Sequence, residues 1–159
     1  LWPALDRNLR IDRGGQGMSF TEKFLPFVCE GDTIACTVDG FDITARLLRD
    51  DCLDPPDQRQ DGFWPSLTIC DAGFIGPGPN SRHRFAEAQA QADAVMSAWK
   101  AGDWFYCGIV LSVAFEDVEL DRHCASIWGV EANYPGSDNA YLTEIASELL
   151  PEARDEMEA

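Results

Sequence analysis

Glu119, Asp121 and His123 alternate along one stretch of the chain, so on an extended strand all three would point to the same side. Two carboxylates and an imidazole on one strand face could hold a divalent metal ion or work as an acid–base pair. Ser112 is expected opposite Asp121, with Glu131 further along the same strand. The plainer explanation is a half-exposed strand whose polar residues only meet water. The other histidine, His83, lies between Arg82 and Arg84 at the start of a helical pattern, which reads as an exposed basic clump.

Other familiar chemistries lack their residues. The six cysteines, at 29, 36, 52, 70, 107 and 124, include no pair at zinc-ribbon or redox spacing. No secretory leader accompanies them, so no disulfide framework is expected. Cys36 and Cys107 fall on apolar faces, where a cysteine behaves as a small hydrophobe. There is no P-loop, no G-x-G-x-x-G and no G-x-S-x-G. No cofactor is expected.

Charge is the second feature able to do something. The chain of 159 residues holds 28 acidic against 12 basic side chains, a net of −16. Residues 1–17 carry three arginines and two aspartates, so the remainder carries −17. Such a surface repels nucleic acid and anionic membrane, which argues against direct binding to either. The acid is also patterned, with Glu144, Glu148, Glu152, Asp155 and Glu156 recurring at three- and four-residue steps. On one helix they would lie mostly away from an apolar stripe of Leu142, Ile145, Ala146 and Leu149. Like charges four apart, and acid near a helix C-terminus, are mildly destabilising. The stripe is therefore either a solvated face that keeps the protein soluble or a surface that imitates phosphate. Glu116 and Asp117, with the acidic segment Asp50 to Asp61, add to the same field.

The elements that must position these residues centre on Trp104 to Leu150. Phe105, Cys107, Ile109, Leu111, Val113 and Phe115 alternate on one strand face. With Glu116-Asp117 as a two-residue loop, Phe115 sits opposite Val118, and Leu120, Cys124, Trp128 and Val130 join that same face. Ser137 or Asp138 then caps a helix that must break, kink or restart at Pro151. Upstream, Thr33 to Leu48 is a hairpin turning at Asp39-Gly40, a strong local turn signal. Phe20 to Val28 reads as a helical turn or a covering segment, and Leu67 to Cys70 as a short strand. After the breaker Gly76-Pro77-Gly78-Pro79, Ser81 caps a helix running to about Ala101, with Gly102 as its stop.

The order ββαββα implies an α+β fold, an antiparallel sheet of two hairpins with two helices packed on one face. Residues 18–159 form a single domain, and 45% hydrophobic content with 11% aromatics argues against disorder. Residues 1–17 end in Gly-Gly-Gln-Gly and are expected to be a flexible or non-native head, with Met18 as the natural initiator. No stretch has the length or apolarity of a membrane span.

The segments QDGFWPSL (60–67), DAGFIGP (71–77), AWKAGDWFYCGIVLSV (98–113) and SIWGVEANYPGSDNAYLTEIASELLPEA (126–153) resemble a group of uncharacterised small acidic proteins of phages, prophages and mobile elements. The likeness rests on the WG-E and NYPGSDN-YLTE wording over roughly the last hundred residues, and it brings no catalytic residues. It implies an accessory product acting in the cytoplasm of a bacterial host.

Two readings of function follow. One is a non-enzymatic acidic interaction protein that binds a basic, nucleic-acid-binding host protein through Glu144, Glu148, Glu152, Asp155, Glu156, Glu116 and Asp117. The other is a small metal-dependent or acid–base enzyme using Glu119, Asp121 and His123. Self-association through an exposed sheet edge or the Trp104/Tyr106 face is a third, structural reading.

Overall fold

The structure is a computed structural model and describes residues 18–51 and 54–158. The expected head, residues 1–17, and Cys52 lie outside the described residues. Four strands form one antiparallel sheet in the order β1 (Thr33–Val38), β2 (Phe41–Arg49), β3 (Phe105–Phe115) and β4 (Val118–Ala132). The helices are α1 (Pro56–Arg59), α2 (Ser81–Lys100), α3 (Ala140–Glu148) and α4 (Leu150–Glu158). The α+β class and the strand–helix order read from the sequence are those observed, with the short α1 added inside the acidic segment.

Both hairpins turn where expected. Asp39 and Gly40 have φ of 52° and 84°, and Glu116 and Asp117 have 48° and 64°, the paired left-handed geometry whose twist matches the flanking strands. Phe115 pairs with Val118. Beyond that point the simple register fails, because β4 has 15 residues where β3 has 11. The surplus is absorbed at three register shifts, so Leu111 pairs with Ala125 and Val113 with Asp121, while Ser112 pairs with Thr44 of β2. Each extra residue turns the following side chains over.

Trp128 is the clearest correction. Expected on the core face, it is 44% exposed and lies over Gly108 on the opposite side. A Cβ added at Gly108 would come within 2.2 Å of the indole Cε3, so only glycine leaves room for the ring there.

Two apolar clusters result. In the main one, Cys107, Ile109, Leu111 and Val113 of β3 meet Ile43, Ala45 and Leu47 of β2 beneath α3 and α4. Cys107 is fully buried, as its place in the alternation implied. Phe20, Phe24 and Val28 cover the same core, so 20–28 is a covering segment rather than a helical turn. Its backbone is held by side chains: Phe20 N–H donates to Ser147 Oγ and Phe24 N–H to Thr143 Oγ1, one turn apart on α3, each at 3.0 Å. In the smaller cluster Val95 of α2 packs with Trp104 and Tyr106. Only α3 and α4 therefore lie over the Phe105–Val113 face, and α2 serves the side defined by Tyr106. The Trp104/Tyr106 face is thus covered from within the chain and not open to a second copy, since these residues are 1% and 7% exposed.

Helix boundaries shift slightly. The residues preceding α2 and α3 are Asn80 and Asn139, at φ of 59° and 62°, rather than Ser81, Ser137 or Asp138. Asparagine tolerates that conformation better than most side chains. Arg84 is not part of a free basic clump, because its guanidinium donates to the carbonyls of Ile75, Gly76, Gly78 and Pro79 and so gathers the breaker loop around itself. Leu67 to Cys70 forms no strand, and only a bridge between Ser66 and Phe74 is present there. The helix breaks at Leu149, and Pro151 stands in the first turn of α4, where its missing N–H costs nothing, the restart expected there.

Candidate protein-interaction face

The bulges of β4 decide the fate of Glu119, Asp121 and His123. Directly paired residues share a sheet face. Asp121 pairs with Val113, a core residue, whereas Glu119 pairs with Ala114 on the other side. The shift between Val113 and Ala114 thus sends the two carboxylates to opposite faces. Glu119 accepts from Arg122 Nε at 3.0 Å, Asp121 Oδ1 accepts the His123 backbone N–H at 2.9 Å, and the His123 ring meets Ser126 Oγ at 2.7 Å. Among the described residues no three His, Cys, Asp or Glu side chains converge as a metal ion would need.

The acidic stripe is reorganised by the break before Pro151. Glu144 and Glu148 lie exposed on α3, and Glu152, Asp155 and Glu156 lie exposed on α4. Glu152 now falls in the first turn of a new helix, where a carboxylate is favoured by the helix dipole. Part of the destabilisation expected of one continuous acidic helix is thereby removed.

One end of the sheet collects acids from several elements. The turns Asp39-Gly40 and Glu116-Asp117 are neighbours there, as the Phe41 and Phe115 rings show with centroids 5.4 Å apart. Arg154 of α4 bonds to Asp39 at 3.4 Å and draws α4 toward that end. Burial raises the Cys124 thiol, and the negative charges of Asp121, Glu156 and Glu152 push the same way; Asp121 and Glu156 line one recess with Cys124. Glu116 and Asp117 are exposed at the adjoining turn, and Asp121 is itself exposed, whereas Glu119 is exposed on the other face of β4. Phe115, Val118 and Leu120 are 42%, 61% and 56% exposed, which leaves large apolar side chains in the midst of the charge.

A second constellation was missed from the sequence. All three tyrosines of the chain, Tyr106, Tyr134 and Tyr141, converge on Glu131, whose negative charge raises each of their hydroxyls in addition to the effect of burial. Tyr106 is pushed up to about 12, although the Arg59 guanidinium, 4.4 Å over its ring, works against the shift. The Tyr141 hydroxyl donates to the Glu131 main-chain carbonyl. Tyr106 and Glu131 are directly paired across the ladder, but Tyr134 and Tyr141 arrive from the following loop and α3, and no local spacing announces them.

Burial likewise raises the Glu131 carboxyl, with Arg59 opposing. A carboxyl raised on folding binds its proton more tightly in the folded chain. It favours the fold below the ordinary carboxylate range, and that contribution is lost as pH rises through the raised value. Glu131→Gln is therefore expected to melt higher than the parent chain at neutral pH, with the two converging below about pH 4. Thermal melts from acid to neutral pH check this. A variant that melts lower at neutral pH would mean that Arg59 more than compensates the buried charge.

Among the described residues, no helix is long and apolar enough to cross a membrane. The chain is matched by no protein-family model, by no curated protein and by no solved structure.

Proposed function

We propose that this chain is a non-enzymatic acidic interaction protein of phage or mobile-element origin. It binds a basic, nucleic-acid-binding or defence protein in the cytoplasm of a bacterial host and covers that protein's basic surface by imitating phosphate charge. The observation that carries the reading is the gathering of exposed carboxylates from α4, the β3–β4 turn and the start of β4 at one sheet end, around exposed apolar side chains. A net charge of −16 steers a basic partner toward the molecule, and much of the affinity is electrostatic and screened by salt.

Affinity capture from bacterial lysate on the immobilised chain tests this, at low and at high salt. A nucleic-acid-binding protein retained at low salt and released by competing DNA is the expected result. Against that purified partner, changing Glu116, Asp117, Glu152, Asp155 and Glu156 to their amides is expected to slow association on the order of tenfold or more and to flatten the salt dependence. Changing Glu144 and Glu148 on α3 is expected to matter less. A column empty at both salts, or a partner indifferent to the five amides, would overturn the proposal.

A further inference from the structure

Between the sheet end and α4 lies a half-open recess of about 230 Å³, walled by Phe41, Val113, Leu120, Cys124 and Met157. Asp121 and Glu156, both exposed, line it as well. The volume falls below the roughly 300–1,000 Å³ of sites that enclose small molecules, and it matches one or two aliphatic side chains better.

Three features say what would enter. Phe41, Val113, Leu120, Cys124 and Met157 give the recess aliphatic, aromatic and sulfur-bearing surface, and Asp121 and Glu156 share the lining, so the inserted group is apolar with polar or cationic neighbours. Glu152, Glu116 and Asp117 extend the negative field of those two carboxylates, so the flanks of the inserted group are basic. Phe115, Val118 and Leu120 stay exposed next to the opening, which gives an entering segment more apolar surface than the recess itself. A second copy of this chain is a poor occupant, because two molecules of charge −16 repel.

We infer that the recess receives an aliphatic side chain from an amphipathic, lysine- or arginine-flanked segment of the partner protein, an apolar anchor inside an acidic ring. This rests on the acidic-interaction reading and sharpens it, since charge would bring the partner in and the anchor would set which basic proteins are kept. An apolar group leaving water on one face with cations on the other is the pattern of a helix laid in a groove.

The test uses the full chain and two synthetic helical peptides of equal positive charge. One carries leucine at positions i, i+3, i+4 and i+7, and the other has serine in place of each leucine. The leucine peptide is expected to bind roughly tenfold or more tighter than the serine peptide, because burial of even one leucine is worth that factor. Leu120→Ser, at a half-exposed position that does not carry the core, is expected to remove most of the difference. Methyl resonances of Val113, Leu120 and Met157 are expected to shift with the leucine peptide. Equal binding of both peptides would overturn the anchor while leaving the acidic reading intact. Tighter binding of the leucine peptide that ignores Leu120→Ser and leaves these methyls unmoved would also overturn it. Failure of both peptides at low salt would remove the acidic reading as well.

Discussion

Asn139→Ala is expected to lower unfolding free energy by roughly 3–5 kcal/mol, a large share of the 5–15 kcal/mol usual for a domain. Asn139 is fully buried although polar. Its Nδ2 donates to Pro26 O at 2.8 Å and to Asn133 Oδ1 at 2.9 Å, and its own Oδ1 accepts Asn133 N–H at 2.9 Å. Asn133 in turn grips Val28 from both sides, accepting its N–H at 2.9 Å and donating to its carbonyl at 2.8 Å. Removing the amide strands the Pro26 carbonyl and the Asn133 N–H, at about 1–3 kcal/mol each. Alanine at a φ of 62° adds about 1 kcal/mol. Urea denaturation measures the total, and Asn139→Gly separates the backbone part from the hydrogen bonds. If alanine cost under about 1 kcal/mol, the asparagine pair would not be what fastens the covering segment.

Trp104→Ala is expected to cost about 3–5 kcal/mol, the usual range for emptying a buried tryptophan site. The ring is 1% exposed and meets Tyr106 and Tyr134 edge to face, with centroids at 5.3 and 5.0 Å. Its Nε1 donates to the Val95 carbonyl at 2.9 Å, a direct tie between α2 and the sheet. The loss should therefore be uneven. Amide exchange is expected to quicken throughout α2 while α3 and the centre of β3 stay protected. Trp104→Phe keeps most of the ring volume and loses the tie, so it falls between the parent and the alanine variant. Uniform loss of protection over the whole chain would show that α2 is fastened by other contacts.

What could be read from the sequence was whatever is encoded between near neighbours. The turns Asp39-Gly40 and Glu116-Asp117, the length of α2 and the restart at Pro151 each depend on residues within a few positions of one another. The register from Val113 back to Phe105 did not. Simple alternation continues the pattern from Val118 through Val130, whereas the ladder inserts extra residues in β4 at places that only packing reveals. That single difference moved Trp128 to the other side and separated Glu119 from Asp121. No local pattern marks Asn133 and Asn139 as fasteners, because their partners, Val28 and Pro26, lie more than a hundred positions away. The Glu131 cluster was hidden for the same reason. The acidic face was legible as composition, but its gathering at one sheet end depends on the approach of α4 to β4, which no local pattern carries.

The fastening of Phe20 to Val28 also sets a schedule for the growing chain. This segment leaves the ribosome before its hydrogen-bond partners Asn133, Thr143 and Ser147, which follow it by 105, 119 and 127 residues. At ordinary rates of synthesis that interval is roughly 5–25 s. Throughout it Phe20, Phe24 and Val28, and the face of the first hairpin that they later cover, have no native shelter. The nascent segment is thus most open to proteases, and most in need of chaperones, until α3 emerges.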